Sequence, residues 1–169
     1  MPAPFIAIFS AIQNRIIHQV PEIAHIALDM GQLNTRNRPQ LSWPCLLIDF
    51  EHFSFSDLGV HVQMATGTVV LRLGTAPLNG TGQNTPDAYR IKALSCYNLE
   101  AQLHMALHAW SLPGDFIGAM MRTSVRTQSR TDGYHVRELR YTLSYEDNST
   151  RTEQQMAPAT LVVNPVIDL

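Results

Sequence analysis

The chain has 169 residues, of which 45% are hydrophobic and only 15% charged, and its formal net charge is -2 at pH 7. This length supports one domain with a hydrophobic core but not two, and the low net charge excludes a basic nucleic-acid footprint over the whole chain. A subunit that buries part of its surface in an assembly needs fewer charges to stay soluble. The shortage of charges therefore favours a soluble protein that associates with other subunits.

Cysteine content and the N-terminus point to a protein made in a reducing cytoplasm. Cys45 and Cys96 are the only cysteines. Two cysteines without a CxxC pair do not form a disulfide framework, so we interpret both as buried thiols. The N-terminus has no basic region and no small-residue cleavage site of the kind found in signal peptides. No apolar stretch approaches the ~20 residues that span a bilayer.

The N-terminal part of the chain predicts a helix and a short strand. Residues 3 to 20 carry apolar side chains at three- and four-residue spacing, which is typical of a helix with one face on a core. Pro21 ends this pattern, because the residue before a proline is pushed out of the helical region. Residues 25 to 30 alternate and are a candidate first strand, and the polar segment 31 to 43 is predicted to be a loop.

A β-hairpin is predicted next. Residues 45 to 55 form its first strand and residues 60 to 73 its second, with a Ser-Asp-Leu-Gly turn at 56 to 59 between them. The alternation of the second strand is broken around residues 65 to 67. The glycine there indicates a bulge or bend in that strand.

A second helix is predicted from its start signals. A loop rich in Gly, Asn and Thr covers residues 74 to 86. At its end, Thr85 suits the N-cap and Pro86 the first helical position, and the apolar pattern continues to about Trp110. The predicted apolar arc of this helix comprises Ile91, Leu94, Leu99, Leu103, Ala106, Leu107 and Trp110.

The clearest local feature is a second hairpin. Residues 121 to 128 and 136 to 145 both alternate, and Asp132-Gly133 between them is a strong hairpin turn signal. Each strand therefore has one face for a core and one face that is wet or contacts a partner. Together these elements predict an α+β fold, in which two helices pack on one face of a mostly antiparallel sheet of four to five strands.

Arginines line this closing hairpin. Alternation predicts that Arg122, Arg126 and Arg130 share one face of the first strand, with Arg137 and Arg140 on its partner. One interpretation is a solvated face with glutamates as partial counter-charges, and the other is a subunit interface or a surface that faces DNA. Arginine tolerates burial against carboxylates better than lysine does, which mildly favours a contact surface. The candidate interface residues of the hairpin are Arg122, Arg126, Arg130, Arg140 and Glu138, and Glu146 is the second predicted counter-charge.

The composition changes after Glu146. A polar stretch leads to an apolar, β-prone end at residues 159 to 167. Such an end is easier to explain as an arm that adds a strand to a neighbour, or packs back on the domain, than as part of an isolated monomer. We therefore divide the chain into a domain at 1 to 146 and a C-terminal extension at 147 to 169. The candidate interface residues of the extension are Leu161, Val162 and Val163.

Few residues suggest catalysis. His104 and His108 share one face of the second helix and could bind a metal together, but no third ligand is evident, so we interpret them as part of a polar helix face. Asp49 and Glu51 share one strand face, where exposed charges are normally found. We find neither a phosphate loop nor a nucleophile motif. We expect no enzyme activity, no metal and no cofactor.

The order of the elements resembles the tail terminator (tail completion) proteins of long-tailed bacteriophages. In that family an arginine-bearing strand is often followed by an Asp-Gly turn and a return strand that ends in aromatic residues. The resemblance covers roughly residues 3 to 146 and is one of pattern. It rests on the segment from Tyr89 to Leu94, the helix up to Trp110, the strand start Met121-Arg122-Thr123 and the hairpin positions Asp132, Gly133, Tyr141 and Tyr145.

The resemblance implies a structural role in the virion. It implies a homo-oligomeric ring, typically a hexamer, that caps the tail tube, stops its growth and presents a surface to the head connector. DNA would pass through the lumen without specific binding. The protein would be made in the host cytoplasm and become part of the tail or neck of the virion.

Three alternatives remain at this point. The first is another head–tail connector, neck or tail-tube subunit, which would also form rings from sheets. The second is a metal or small-ligand enzyme that uses His104 and His108. The third is a monomeric adaptor whose edge strand binds a peptide.

Overall fold

The computed structural model describes residues 3–34, 41–76, 80–112 and 118–150. These residues form two helices and one five-stranded sheet with the order β1-β2-β3-β5-β4. β1 pairs with β2 in parallel, and the other neighbours are antiparallel. The predicted α+β class is confirmed, whereas the C-terminal extension with Leu161, Val162 and Val163 lies outside the described residues. The elements are α1 (Pro4–Gln19), β1 (His25–Leu28), β2 (Cys45–Gly59), β3 (Val62–Thr75), α2 (Asp87–Leu107), β4 (Met121–Thr127) and β5 (His135–Asp147).

Both helices cover the same face of the sheet. Ile8, Ile12 and Ile16 of α1 are fully buried in one core with residues of α2 and of the three central strands. In β5 the side chains that face the helices alternate with side chains on the opposite face, as a half-buried strand requires. The helix-facing residues of β5 are Leu139, Tyr141, Leu143 and Tyr145.

The second helix departs from its prediction at both ends. Pro86 is the N-cap of α2, and no side chain caps the helix, so the predicted cap at Thr85 is wrong. The helix ends at Leu107 rather than near Trp110, because His108 adopts an extended backbone conformation. The predicted apolar arc is also too wide. Ile91 is 68% exposed and Leu94 is 43% exposed, while the buried face is centred on Leu99 and Leu103.

The irregularity predicted near Gly67 lies in the partner strand. Between Glu51 and Ser54, β2 has one residue more than β3, and His52 in this bulge has a positive φ of 54°. Gly67 faces the bulge, and its small size is required there. A Cβ atom on it would lie 2.3 Å from Cγ of Phe53, so the ring of Phe53 occupies the space that a side chain would need.

The turn between β2 and β3 comes later than predicted. β2 continues through residues 56 to 59, and the two residues of the turn are Val60 and His61. His61 has a positive φ of 66°, a left-handed conformation that is uncommon for residues other than glycine. The consequence is a long hairpin whose end carries Leu58 and Val60 in exposed positions.

A second, smaller core lies on the sheet face away from the helices. It contains Leu33, Cys45, Leu47 and Val136, and the segment before β2 covers it. The indole of Trp43 in that segment stacks on Tyr134, with 4.7 Å between the ring centroids. This face is therefore apolar at one end, and the candidate interface lies next to it.

Candidate interaction surface

A bulge in β4 separates the arginines that were predicted to share a face. Arg122 lies opposite Tyr141 and Ser124 lies opposite Arg140, so Thr123 is an extra residue. Since the bulge breaks the alternation, Arg122 lies on the helix side of the sheet and Arg126 on the other side. The prediction of one arginine face on this strand is therefore wrong. Its alternation argument assumed an unbroken strand.

Arg130 lies beyond the end of β4. Its Nε donates a 3.0 Å hydrogen bond to Asp132, and its guanidinium also bonds the backbone carbonyl of Leu33. It therefore connects the β4–β5 turn to the loop that follows β1. Within the described structure, Arg130 and Arg126 therefore contact different residues.

Glu138 is the centre of the charged surface. It is 0% exposed although it lies on the face without helices. Its carboxylate accepts hydrogen bonds from Arg126 at 3.0 Å, Gln128 at 3.0 Å and Arg140 at 2.9 Å. Burial by itself would raise the pKa of Glu138, but these hydrogen bonds outweigh it and lower the pKa to about 2.

The contacts of Glu138 continue across the sheet. Arg140 also reaches Glu51 of β2, with 2.9 Å between Nη1 and Oε2. Arg72 of β3 lies 3.5 Å from Glu138 and forms an ion pair with Asp29, which follows β1. We call these residues the ionic network; its members are Asp29, Asp49, Glu51, Arg72, Arg126, Glu138 and Arg140.

The ionic network carries no excess of positive charge. It joins four carboxylates to three guanidinium groups. A surface that binds DNA through phosphates needs an excess of positive charge, and this network has none. The geometry therefore favours the interpretation of an internally paired face over that of a DNA-facing one.

Sequence reasoning missed half of this network. It identified Glu138 as a counter-charge but treated Asp49 and Glu51 as ordinary exposed charges. Their shared face was visible in the sequence. The sequence did not show which residues lie beside them, because only the strand order β2-β3-β5 brings them near Arg72 and Arg140.

Two polar side chains of α2, Glu100 and His104, are partly buried rather than fully solvated. Glu100 and Arg137 form an ion pair with 2.6 Å between Oε2 and Nε, and both side chains are about 85% buried. His104 is half-buried, and burial, followed by the nearby charge of Arg122, lowers its pKa. The predicted polar helix face is therefore in part an internal contact with β5.

The two histidines of α2 are adjacent but do not form a ready metal pair. Their ring centroids lie 4.6 Å apart. Nδ1 of His108 accepts the backbone N–H of Arg122 at 3.2 Å, so the neutral ring carries its proton on Nε2. Neither ring nitrogen of His108 can then bind a metal unless this hydrogen bond breaks or the proton moves. In the part of the chain that the structure describes, no group of three or more His, Cys, Asp or Glu side chains is placed to hold a metal ion.

Comparison with known proteins shows a likeness at the level of fold. No protein-family model matches the chain, and no curated protein matches its sequence. Among solved structures, a chain from the virion of a native gene transfer agent particle has a similar fold, with a TM-score of 0.51 and 13% sequence identity. The similarity covers 86% of this chain and 99% of that chain. The two-helix, five-stranded domain is thus an architecture that also occurs in a virion.

Proposed function

We propose that this protein is a structural subunit of a phage-like particle and acts there as a ring-forming tail terminator. The fold similarity to a chain of a gene transfer agent virion, over nearly all of that chain, is the observation that carries the proposal. The order of elements in the sequence supports the same assignment by a separate route. The role is structural rather than enzymatic, and its site in the particle is the tail or neck.

In this role about six copies form a closed ring between the tail tube and the head connector. The low charged fraction of 15% suits a subunit with much of its surface covered. The ionic network does not oppose such a role, because a face without excess positive charge does not retain the phosphate backbone. DNA would pass through such a ring without specific binding.

Disruption of the gene in a particle-producing strain tests the function. The expected result is tails of uncontrolled length that are not joined to heads, seen by negative-stain electron microscopy. A copy of the gene supplied in trans should restore joined particles of normal tail length. Normal, joined particles from the disrupted strain would overturn the proposal.

The same images separate the terminator from other virion subunits. Loss of a tail-tube subunit should remove tails altogether, whereas loss of a terminator leaves tube behind. Heads that lack an intact neck, together with tails of normal length, would assign the protein to the head side of the joint instead.

A further inference from the structure

We infer that neighbouring copies contact each other head to tail, with the end of the β2–β3 hairpin of one copy packed on the outer face of α2 of the next. This inference rests on the proposed ring, for which it names the contact between subunits. The occupant of each surface is therefore a second copy of this chain. Two exposed apolar surfaces and their charges lead to it.

The first surface is the helix stripe, formed by Ile91, Leu94, Ala101 and Met105. These residues recur at three-, seven- and four-residue intervals, so they share one side of α2. Ile91 is 68% and Met105 73% exposed. The stripe lies opposite the buried side of the helix and extends over about 21 Å at 1.5 Å per residue. Asn98, also exposed, lies within the stripe, but its other members are apolar where a solvated helix normally shows polar residues.

The second surface is the hairpin end, formed by Phe55, Leu58 and Val60. These side chains are 48%, 54% and 83% exposed. The hairpin end is also open at its edge. β1 pairs only with the first four residues of β2, Cys45–Ile48, so the rest of β2 has no strand on that side among the described residues. An exposed apolar edge of this kind is normally covered in the working protein.

The charges around the two surfaces are of opposite sign. Asp57 lies in the hairpin end, and Glu146 and Asp147 lie on the adjacent end of β5. Neither Lys nor Arg occurs in residues 52–71 or 141–150. The first two turns of α2 carry Arg90 and Lys92 against one acid, Asp87. Opposite potentials steer the hairpin end toward the helix stripe and away from a second hairpin end.

The two surfaces lie on different elements, so a contact between them is heterologous. A head-to-tail contact repeated around an axis closes into a ring when the rotation between subunits allows it. An isologous contact, stripe to stripe or hairpin to hairpin, would stop at a dimer and would bring like charges together at the hairpin end. A heterologous contact is thus the arrangement that buries both surfaces and fits a ring.

Complementation between two defective variants tests this inference. The stripe variant is Ile91→Glu with Met105→Glu, and the hairpin variant is Leu58→Glu with Val60→Glu. All four positions are exposed in the isolated chain, so each variant should fold, which circular dichroism verifies. The matched control, Ile17→Glu with Met30→Glu, changes two other exposed apolar residues, 51% and 81% exposed, outside both surfaces. The mass of each sample is measured by light scattering.

We expect the wild type and the control to form the same closed oligomer and each variant alone to be a monomer of 18.9 kDa. An equimolar mixture of the two variants should give a heterodimer and nothing larger. The intact hairpin end of the stripe variant binds the intact helix stripe of the hairpin variant, and the two altered surfaces prevent further growth. A dimer of either variant alone, a mixture that stays monomeric, or a monomeric wild type would overturn the inference.

The outcomes also separate this inference from the proposed function and from other occupants. A variant that keeps the wild-type oligomer shows that its surface is covered by something else, such as residues 151–169 of the same chain, and overturns the inference. The function is judged independently by tail length and head joining after gene disruption. The protein can thus be required for tail termination even if the ring closes through other surfaces of the subunit.

Discussion

At the scale of the residue, Glu138 is the side chain on which the charged face depends. A buried carboxylate is costly unless hydrogen-bond donors replace its water. Glu138 has three donors, Arg126, Gln128 and Arg140. The same carboxylate takes up part of the charge and hydrogen-bonding capacity of Arg126 and Arg140.

The substitution Glu138→Gln should therefore destabilise the protein strongly. It removes the buried negative charge that Arg126 and Arg140 both bind, at a cost of about 3 kcal/mol in the free energy of unfolding. The matched control is Glu146→Gln on the same strand and the same face, which makes no ion pair within the described structure and should change stability by less than about 0.5 kcal/mol. Urea unfolding measures both. Equal effects of the two substitutions would contradict the role of Glu138.

Stability should also fall with acid in a range set by Glu138. The pKa of this group is about 2 in the folded protein, against an ordinary value of 4.5. A lowered folded pKa means that its stabilisation is complete above pH 4.5 and is lost as pH falls toward 2. The difference in unfolding free energy between wild type and Glu138→Gln should therefore shrink over this interval. A difference that stays constant with pH would show that the carboxylate charge is not the cause.

Gly67 offers a test of packing at a single atom. A Cβ there would meet the ring of Phe53 at 2.3 Å, so Gly67→Ala should cost about 2 kcal/mol through overpacking. Gly82→Ala is the control, because its Cβ would meet only Oγ1 of Thr85 at 3.7 Å. Unfolding midpoints that fall equally for both variants would argue against the close approach of Phe53 to Gly67.

At the scale of the element, the segment before β2 protects the second core. Trp43 stacks on Tyr134 and lies over Gly74, where an added Cβ would sit 2.9 Å from both the indole and Sγ of Cys45. Cys45 is 0% exposed, and burial raises the pKa of its thiol to about 11. Folded protein should therefore react slowly with thiol reagents at this residue.

Trp43→Ala should make Cys45 reactive. If the lost packing costs about 2 kcal/mol, labelling through local opening rises about 30-fold. Cys96, in α2 and 3% exposed, is the internal control, and its rate should not change. Mass spectrometry of alkylated peptides gives both rates. A parallel rise at Cys96 would indicate global destabilisation instead of local opening.

At the scale of the whole molecule, α1 and α2 stabilise one face of a single sheet. Arg15 of α1 donates a 3.0 Å hydrogen bond to the carbonyl of Ala106 in α2, and its guanidinium lies 5.1 Å from the ring centroid of Trp110. The last described residues continue directly from β5, where Thr150 donates a hydrogen bond to the carbonyl of His61 at the β2–β3 turn. The residues of the described core lie between Ile8 and Tyr145.

Removal of residues 151–169 tests the division into a domain and an arm. The free energy of unfolding should change by less than about 0.5 kcal/mol, because the core of the domain stays intact. If the arm binds a neighbour, the truncated chain should form a weaker oligomer in light scattering across a dilution series. An unchanged oligomer would count against the arm, and a large loss of stability would mean that the segment packs on its own domain.

The sequence by itself determined the local elements. Apolar spacing predicted α1, the alternation predicted the two hairpins, and Asp132-Gly133 marked the last turn. These signals are local, since they depend on which residues are neighbours within one helix or strand. The placement of both helices on one face of the sheet was also predicted.

Only the tertiary structure decided which charged side chains meet. Because Thr123 is an extra residue in β4, Arg122 and Arg126 lie on opposite faces of the sheet. The strand order brings Glu51 beside Arg140. Bulges and strand order depend on pairing between distant segments, and a shift of one residue reverses every side chain beyond it. The ionic network and the open hairpin end both follow from that pairing, which local periodicity does not encode.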